Sequence, residues 1–284
     1  MGRVFSDLKT TQYGASGHPE APFRVRESFA LLKAAGLVPE LPPVTASAAD
    51  IARLHGKDRL AVIASGSYDD ADTPPYAGMD AISMISLSGA LSAAETAKAG
   101  TPAFSLMRPP GHHAGKDRVA GFCYLNNVAL AVARLQEKTP GLKVAIVDFD
   151  VHHGDGTESL VLGRENTAFL STHQFPLYPG TGAAAKGNCA NVPLEAGTDG
   201  DRYLRAFTPA FETLLASKPD LLAVSAGFDA YKGDPIAGLK LDQGTFKTIG
   251  SLLAQTKLPR FAALEGGYSE DLPYLVESFL DGFF

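Results

Sequence analysis

Five short apolar runs, at 103–107, 144–149, 168–171, 221–226 and 261–264, each end in a polar or glycine-rich segment. Stretches of helical composition lie before and between them, at 24–35, 81–99, 126–136, 202–217 and 243–255. The runs are short enough to be buried strands. Strands alternating with helices need right-handed crossovers, so they pair in parallel and carry helices on both faces. The expected fold is therefore α/β, a three-layer arrangement around a central, mainly parallel sheet. Val4-Phe5 reads as a first strand, and the alanine-rich piece at 90–99 suits a helix pressed closely against the sheet.

With 284 residues, 45% hydrophobic and 20% charged, the chain can bury a large core. No repeat or low-complexity linker divides it, so one domain over 1–284 is expected. A net charge of -6 and a pI near 5.6 disfavour a nucleic-acid surface built on basic patches, and suit a cationic substrate better. Cys123 and Cys189 form no CxxC pattern, which excludes a zinc ribbon and points to a reducing compartment. No run approaches the roughly 18 apolar residues of a membrane span, and the amino terminus has no charged and apolar leader. A soluble, cytoplasmic protein with no membrane partner is expected; the composition leaves the oligomeric state open.

Chemistry gathers at the ends of the strand-like runs. RPPGHHA (108–114), DFDVHHGDGT (148–157), SAGFDA (225–230) and EGGY (265–268) each follow one of them. Parallel sheets place their ligands at the carboxyl edge, so the four segments are expected to converge on one cleft. In DFDVHHGDGT, an extended chain would turn Asp148, Asp150 and His152 to one face and Phe149 and Val151 to the other. Asp150 and His152 then make half of a metal site, and Gly154 and Gly156 read as the tight turn after the strand. Asp229 offers a third ligand, or else closes a turn. Three protein ligands with one open position are what a catalytic zinc needs. His112 and His113 are expected to splay into the cleft, where a neutral imidazole takes a proton from water. Such rings need orienting carboxylates, for which Asp148 and Asp155 are the candidates. Tyr268, behind two glycines, offers a hydroxyl to an oxyanion, or is a surface tyrosine in a glycine turn. Phe122 and Tyr178, in the glycine-flanked loops GFCYLNN and PLYPGTG, suit either the walls of a narrow slot or the core.

Taken together, RPPGHHA, GFCYLNNVA, DFDVHHGDGT, STHQFPLYPGTG, SAGFDA and EGGY, with GHPEAPFR at 17–24, resemble the zinc-dependent histone deacetylase superfamily in content and order. The spellings RPPGHHA and SAGFDA are similar to class II enzymes and their bacterial amidohydrolase relatives. The resemblance implies an arginase-like α/β fold and hydrolysis of the amide of acetyl-lysine, in peptide or protein, to lysine and acetate. By position it implies Asp150, His152 and Asp229 as zinc ligands, His113 as general base beside His112, and Asp148 and Asp155 behind them. It further implies Tyr268 as the group that polarises the acyl carbonyl, Phe122 beside Gly121 and Tyr178 as channel walls, and Asp72 at the rim. A structural potassium is implied near Asp148, Asp150, His152, Ser171 and Thr172.

Ile236, in GDPIAG, stands where polyamine-selective members carry a glutamate, which disfavours an acetylpolyamine substrate without removing it. Ferrous iron suits the same ligands as zinc. An arginase-type two-metal reaction would need more aspartate ligands than the motifs supply. A catalytically silent acyl-lysine binder would lack a ligand or the tyrosine, and here all are present.

Overall fold

A computed structural model describes residues 2–284. Its strands are β1 (Arg3–Phe5), β2 (Ala103–Ser105), β3 (Val144–Asp148), β4 (Thr167–Gln174), β5 (Cys189–Leu194), β6 (Leu221–Ala226) and β7 (Arg260–Leu264). Its helices are α1 (Phe23–Ala34), α2 (Ala48–Ile51), α3 (Arg59–Ser65), α4 (Met79–Lys98), α5 (Asn127–Lys138), α6 (Asp155–Val161), α7 (Gly200–Leu215), α8 (Gln243–Gln255) and α9 (Leu272–Phe283). The strands form one sheet in the order β1-β2-β7-β6-β3-β4-β5, and every pairing is parallel. The α/β reading from the sequence holds.

Side chains alternate across β3: Val144 and Ile146 pack into one apolar cluster, while Ala145 and Val147 pack into the other. Both faces of the central strands are thus buried, as a parallel sheet requires, each large apolar side chain contributing about 1.5–3 kcal/mol. Helix α4 lies close on the sheet because it presents Ser86, Gly89, Ala90, Ala93 and Ala94 inward. A Cβ on Gly89 would stand 2.5 Å from Ser105 Oγ and 2.7 Å from Met107 Cγ, so the approach depends on its absence.

Besides the short helices α2, α3 and α6, two further elements, β5 and α9, lie outside the expected pattern. The edge strand β5 contains Pro193 and is only partly buried, so neither apolar content nor alternation marks it. The chain also ends in the strongly amphipathic α9, which buries Leu275, Val276, Phe279 and Phe283 against α1 and α8. Among the described residues, no helix is long and apolar enough to cross a membrane. Both cysteines are buried and free.

Candidate active site

The loops after β2, β3, β4, β6 and β7 meet at the carboxyl edge of the sheet. Beyond β3 the chain leaves the extended conformation expected for Asp148 to His152. Asp150 N–H donates to Asp148 Oδ1 at 3.1 Å, and His152 N–H donates to Asp150 Oδ1 at 2.9 Å. Each carboxylate bends the backbone two residues on, the turn-forming habit of aspartate. Phe149 and Val151 nevertheless go to the core opposite. Gly154, with φ -73° and ψ 60°, is the centre of a tight turn closed by Asp155 N–H to His153 O at 2.8 Å, whereas Gly156 lies inside α6 rather than in the turn the sequence suggested. A side chain at 154 would strike Asp148 Oδ2, and one at 156 would strike the backbone of His113, so both serve close approach.

Asp150, His152 and Asp229 are buried, and each offers one ligand atom, all within 4.8 Å of one another. His152 Nδ1 stands 3.2 Å from Asp150 Oδ1 and 3.2 Å from Asp229 Oδ2. The second oxygens are anchored as well: Gly266 N–H donates to Asp150 Oδ2 at 2.7 Å, and Val151 N–H donates to Asp229 Oδ1 at 2.8 Å. Burial, together with the charge of Asp150, raises the Asp229 carboxyl to about 7. Burial opposes charging of His152, yet the two carboxylates outweigh it and raise the ring to about 10. Two buried acids forced to share a proton with an imidazole fit a dication, which would neutralise them without that proton.

Beside this trio lie the tandem histidines, their ring centroids 4.0 Å apart. His112 Nδ1–H donates to Asp148 Oδ2 at 3.1 Å, and His113 Nδ1–H donates to Asp155 Oδ1 at 2.8 Å. The two backing carboxylates differ. Asp148 is fully buried, and burial raises it despite His112. Burial would raise Asp155 too, but His113 and the guanidinium of Arg118 outweigh it and hold it at about 2. The histidines split the other way: burial and the neighbouring His112 push His113 down to about 3, whereas Asp150 and Asp148 outweigh burial and raise His112. Of the two, only His113 lines the cleft, so the expectation that both rings splay into it is corrected: His112 lies deeper, with Nε2 3.7 Å from Asp150 Oδ1.

The cleft has a volume of about 360 Å³, and its lining includes His113, His152, Gly121, Phe122, Tyr178 and Tyr268. His18, Pro19, Asp72, Leu177 and Ile236 also border it. Phe122 is held in an unusual backbone conformation. Gly121 and Phe122 have φ of 56° and 68°, the double left-handed geometry of a tight hairpin turn, closed by Cys123 N–H to Ala120 O at 2.9 Å. Gly121 has no side chain to spare: a Cβ there would stand 2.5 Å from His113 Cδ2. Opposite, the Tyr178 ring meets His113 edge-on, with centroids 5.1 Å apart. Asp72 is exposed at the rim, and its carbonyl accepts from His18 Nε2–H at 3.1 Å. A wider groove of about 650 Å³, between α1, α8 and α9, contains none of these residues.

Tyr268 is buried but borders the cleft, and burial keeps its phenol protonated. Its N–H donates to Asp234 Oδ2 at 2.7 Å, while Asp234 Oδ1 accepts from Ile236 N–H at 3.0 Å. Arg24 holds the other side, donating to Gly267 O at 2.7 Å and stacking 4.8 Å from the centre of the Tyr268 ring.

Ser171 and Thr172, at the end of β4, are buried. Thr172 Oγ1 on β4 and Ser225 Oγ, two strands away on β6, have no hydrogen-bond partner among the described residues. His112, Cys123 and Glu265 form a second buried trio within 4.8 Å, with Glu265 Oε2 accepting from the Gly111 and His112 N–H groups at 2.6 and 3.1 Å.

Several contributors carried no recognisable sequence signal. Asp70 accepts from Gly121 N–H at 3.1 Å, and Thr73 Oγ1 accepts from Phe122 N–H at 2.8 Å, so an acidic loop far upstream fixes the aromatic wall. Asp234 and Arg118 act likewise through residues distant in sequence.

A parallel sheet whose carboxyl edge joins a carboxylate–imidazole trio, two carboxylate-backed histidines and a phenol defines a hydrolytic α/β domain. The histone deacetylase domain matches residues 18–282, and the chain belongs to that family. It is 35% identical over 271 residues to a probable deacetylase of Methanothermobacter thermautotrophicus, covering 90% of this chain and 82% of the relative. It is 36% identical over 209 residues to the acetylpolyamine amidohydrolase of Mycoplana ramosa, covering 70% of this chain and 61% of that one. The crystal structure of an acetylpolyamine aminohydrolase from Burkholderia pseudomallei superposes with a TM-score of 0.92 at 26% identity, covering 100% of this chain and 98% of that one.

Proposed function

We propose that this chain is a zinc-dependent deacylase that hydrolyses the amide of acetyl-lysine in peptides or proteins. One observation carries the reading: the Asp150–His152–Asp229 trio lies beside a narrow cleft bordered by Phe122 and Tyr178, with His113 and Tyr268 both lining it. Asp150, His152 and Asp229 would hold a zinc ion, which would supply Lewis acidity and a more acidic water; ferrous iron suits the same donors. A potassium ion near Asp148, Asp150, His152, Ser171 and Thr172 fits as a structural companion.

The rest of the chemistry belongs to side chains. Phe122 and Tyr178 hold the methylene chain of the substrate, and Gly121 leaves room between them. His113, with Nδ1–H committed to Asp155, has Nε2 free to take a proton from the attacking water. Tyr268 donates to the carbonyl oxygen as negative charge develops there. The His113 imidazole then returns that proton to the departing amine. At the rim, Asp72 accepts from substrate backbone amides.

A second reading is favoured by the acetylpolyamine-hydrolysing relatives: the amine is a small polyamine. Position 236 weighs against it, because Ile236, with Leu177 and Pro19 also at the rim, offers no anion there for a second ammonium group, and the one carboxylate at the rim, Asp72, is assigned to substrate backbone amides. Acetate release by zinc-loaded protein decides between them. A higher kcat/KM on acetyl-lysine peptide than on acetylpolyamine supports the first reading, and the reverse order replaces it. No turnover of either by metal-loaded protein, with binding retained, would leave a silent binder.

A further inference from the structure

We propose that Arg118 is a positioning residue for hydrolysis: its guanidinium fixes the Asp155 carboxylate, and through it the orientation of the His113 ring. The proposal rests on the assignment of His113 as base.

Asp155 Oδ1 receives the His113 Nδ1–H at 2.8 Å, while Asp155 Oδ2 is paired with Arg118 Nη2. A carboxylate with one donor can swing about its side-chain bond and carry the imidazole with it. One held at both oxygens cannot. The same Nη2 lies 3.5 Å from the His113 carbonyl, so the guanidinium reaches the backbone of the base as well as its partner.

The loop that presents Arg118 is itself fixed. Gly115 N–H donates to Arg118 O at 3.0 Å, closing a turn. From behind, Arg59 donates to Lys116 O at 2.7 Å and also pairs with Gly115 O. His55 Nε2 accepts from Asn126 N–H at 3.0 Å, which leaves its Nδ1–H to donate to Gly115 O at 2.8 Å. An arginine whose only task was solubility would not need such an anchored support. Among the described residues no guanidinium or ammonium group pairs with Asp148, whose oxygens accept from His112 and the Asp150 N–H. The device therefore distinguishes the histidine that lines the cleft from its neighbour.

Arg118 is half exposed, with 52% of its side chain open to solvent, against 11% for Asp155. Its outer face is thus accessible to a small cation from solution, and that supplies the test. Arg118→Ala should lower kcat roughly 10- to 100-fold with KM little changed, the usual cost of losing an orienting partner. Metal content and thermal midpoint should stay at the parent values. Arg118→Lys, which keeps the charge without the planar fork, should recover part of the rate, and millimolar guanidinium should raise kcat of the alanine variant but not of the parent. An unchanged kcat in Arg118→Ala, or a loss matched by loss of metal or of folding and not relieved by guanidinium, overturns the proposal. His113→Ala separates the two readings. If it retains full turnover, the assignment of the base fails; if it is inactive while Arg118→Ala is unaffected, only the role of Arg118 fails.

Discussion

Gly266 N–H donates to Asp150 Oδ2 at 2.7 Å, tying the end of β7 to a candidate metal ligand 116 positions earlier. The contact requires glycine. A Cβ at 266 would run into Asp229 Oδ2 and stand 2.6 Å from Asp150 Oδ2. Gly266→Ala is therefore expected to displace both carboxylates and to lose most of the bound zinc while the sheet remains folded. Metal analysis of purified protein, with circular dichroism as control, checks this; full zinc occupancy would refute it.

Tyr268→Phe removes one hydroxyl and leaves the ring stacked on Arg24. If the phenol stabilises developing oxyanion charge, kcat falls about 100-fold or more while zinc content and KM change little. Intact turnover would show that the hydroxyl is not used. Asp234→Asn provides a graded comparison, because the Tyr268 N–H loses a charged acceptor but keeps a neutral one.

Much of this site could be read from the chain because it is carried by short motifs at strand ends. Asp150, His152, Asp229, His112, His113 and Tyr268 are each near a run whose apolar content marks it as a buried strand. What was not legible depends on contacts made only after folding. The αL turn at Phe122 is held by Asp70 and Thr73, about 50 positions upstream, and Arg118 sits in a turn without hydrophobic pattern. Edge strand β5 escaped because half-exposed edges do not alternate cleanly. The bend after Asp148 escaped because side-chain hydrogen bonds to the backbone override the extended preference that a strand extrapolates.

Acid should weaken the fold through Glu20. Arg108 donates to both of its oxygens at 2.6 Å, Arg24 donates at 3.0 Å and Tyr13 OH at 2.8 Å, all of them buried. Burial alone would raise this carboxyl, but Arg108 and Arg24 outweigh it and hold it at about 2. The unfolded chain binds the proton near 4.5, so the stabilisation is complete above that pH and is lost as pH falls toward 2. Glu20→Gln leaves two buried guanidiniums short of an anion, at a cost of about 3–5 kcal/mol at neutral pH. It should also flatten the decline in stability below pH 4.5. Urea unfolding across that range measures both; an unaltered acid slope would exclude Glu20 as its source.

Substrate choice is expected to turn on Ile236, which borders the cleft and whose N–H is fixed by Asp234. The backbone there is held independently of the side chain, so a glutamate can replace isoleucine without moving the loop. A carboxylate at the rim would pair with a second ammonium group several methylenes from the scissile amide, as a polyamine presents and a lysine in a peptide does not. Ile236→Glu should therefore raise kcat/KM for acetylpolyamine relative to acetyl-lysine peptide by about tenfold, corresponding to about 1.4 kcal/mol of differential transition-state binding. The gain should shrink at high salt, because the new pair lies at a solvent-exposed rim. A ratio that stays at the parent value would mean that the rim at 236 does not contact the distal part of the substrate.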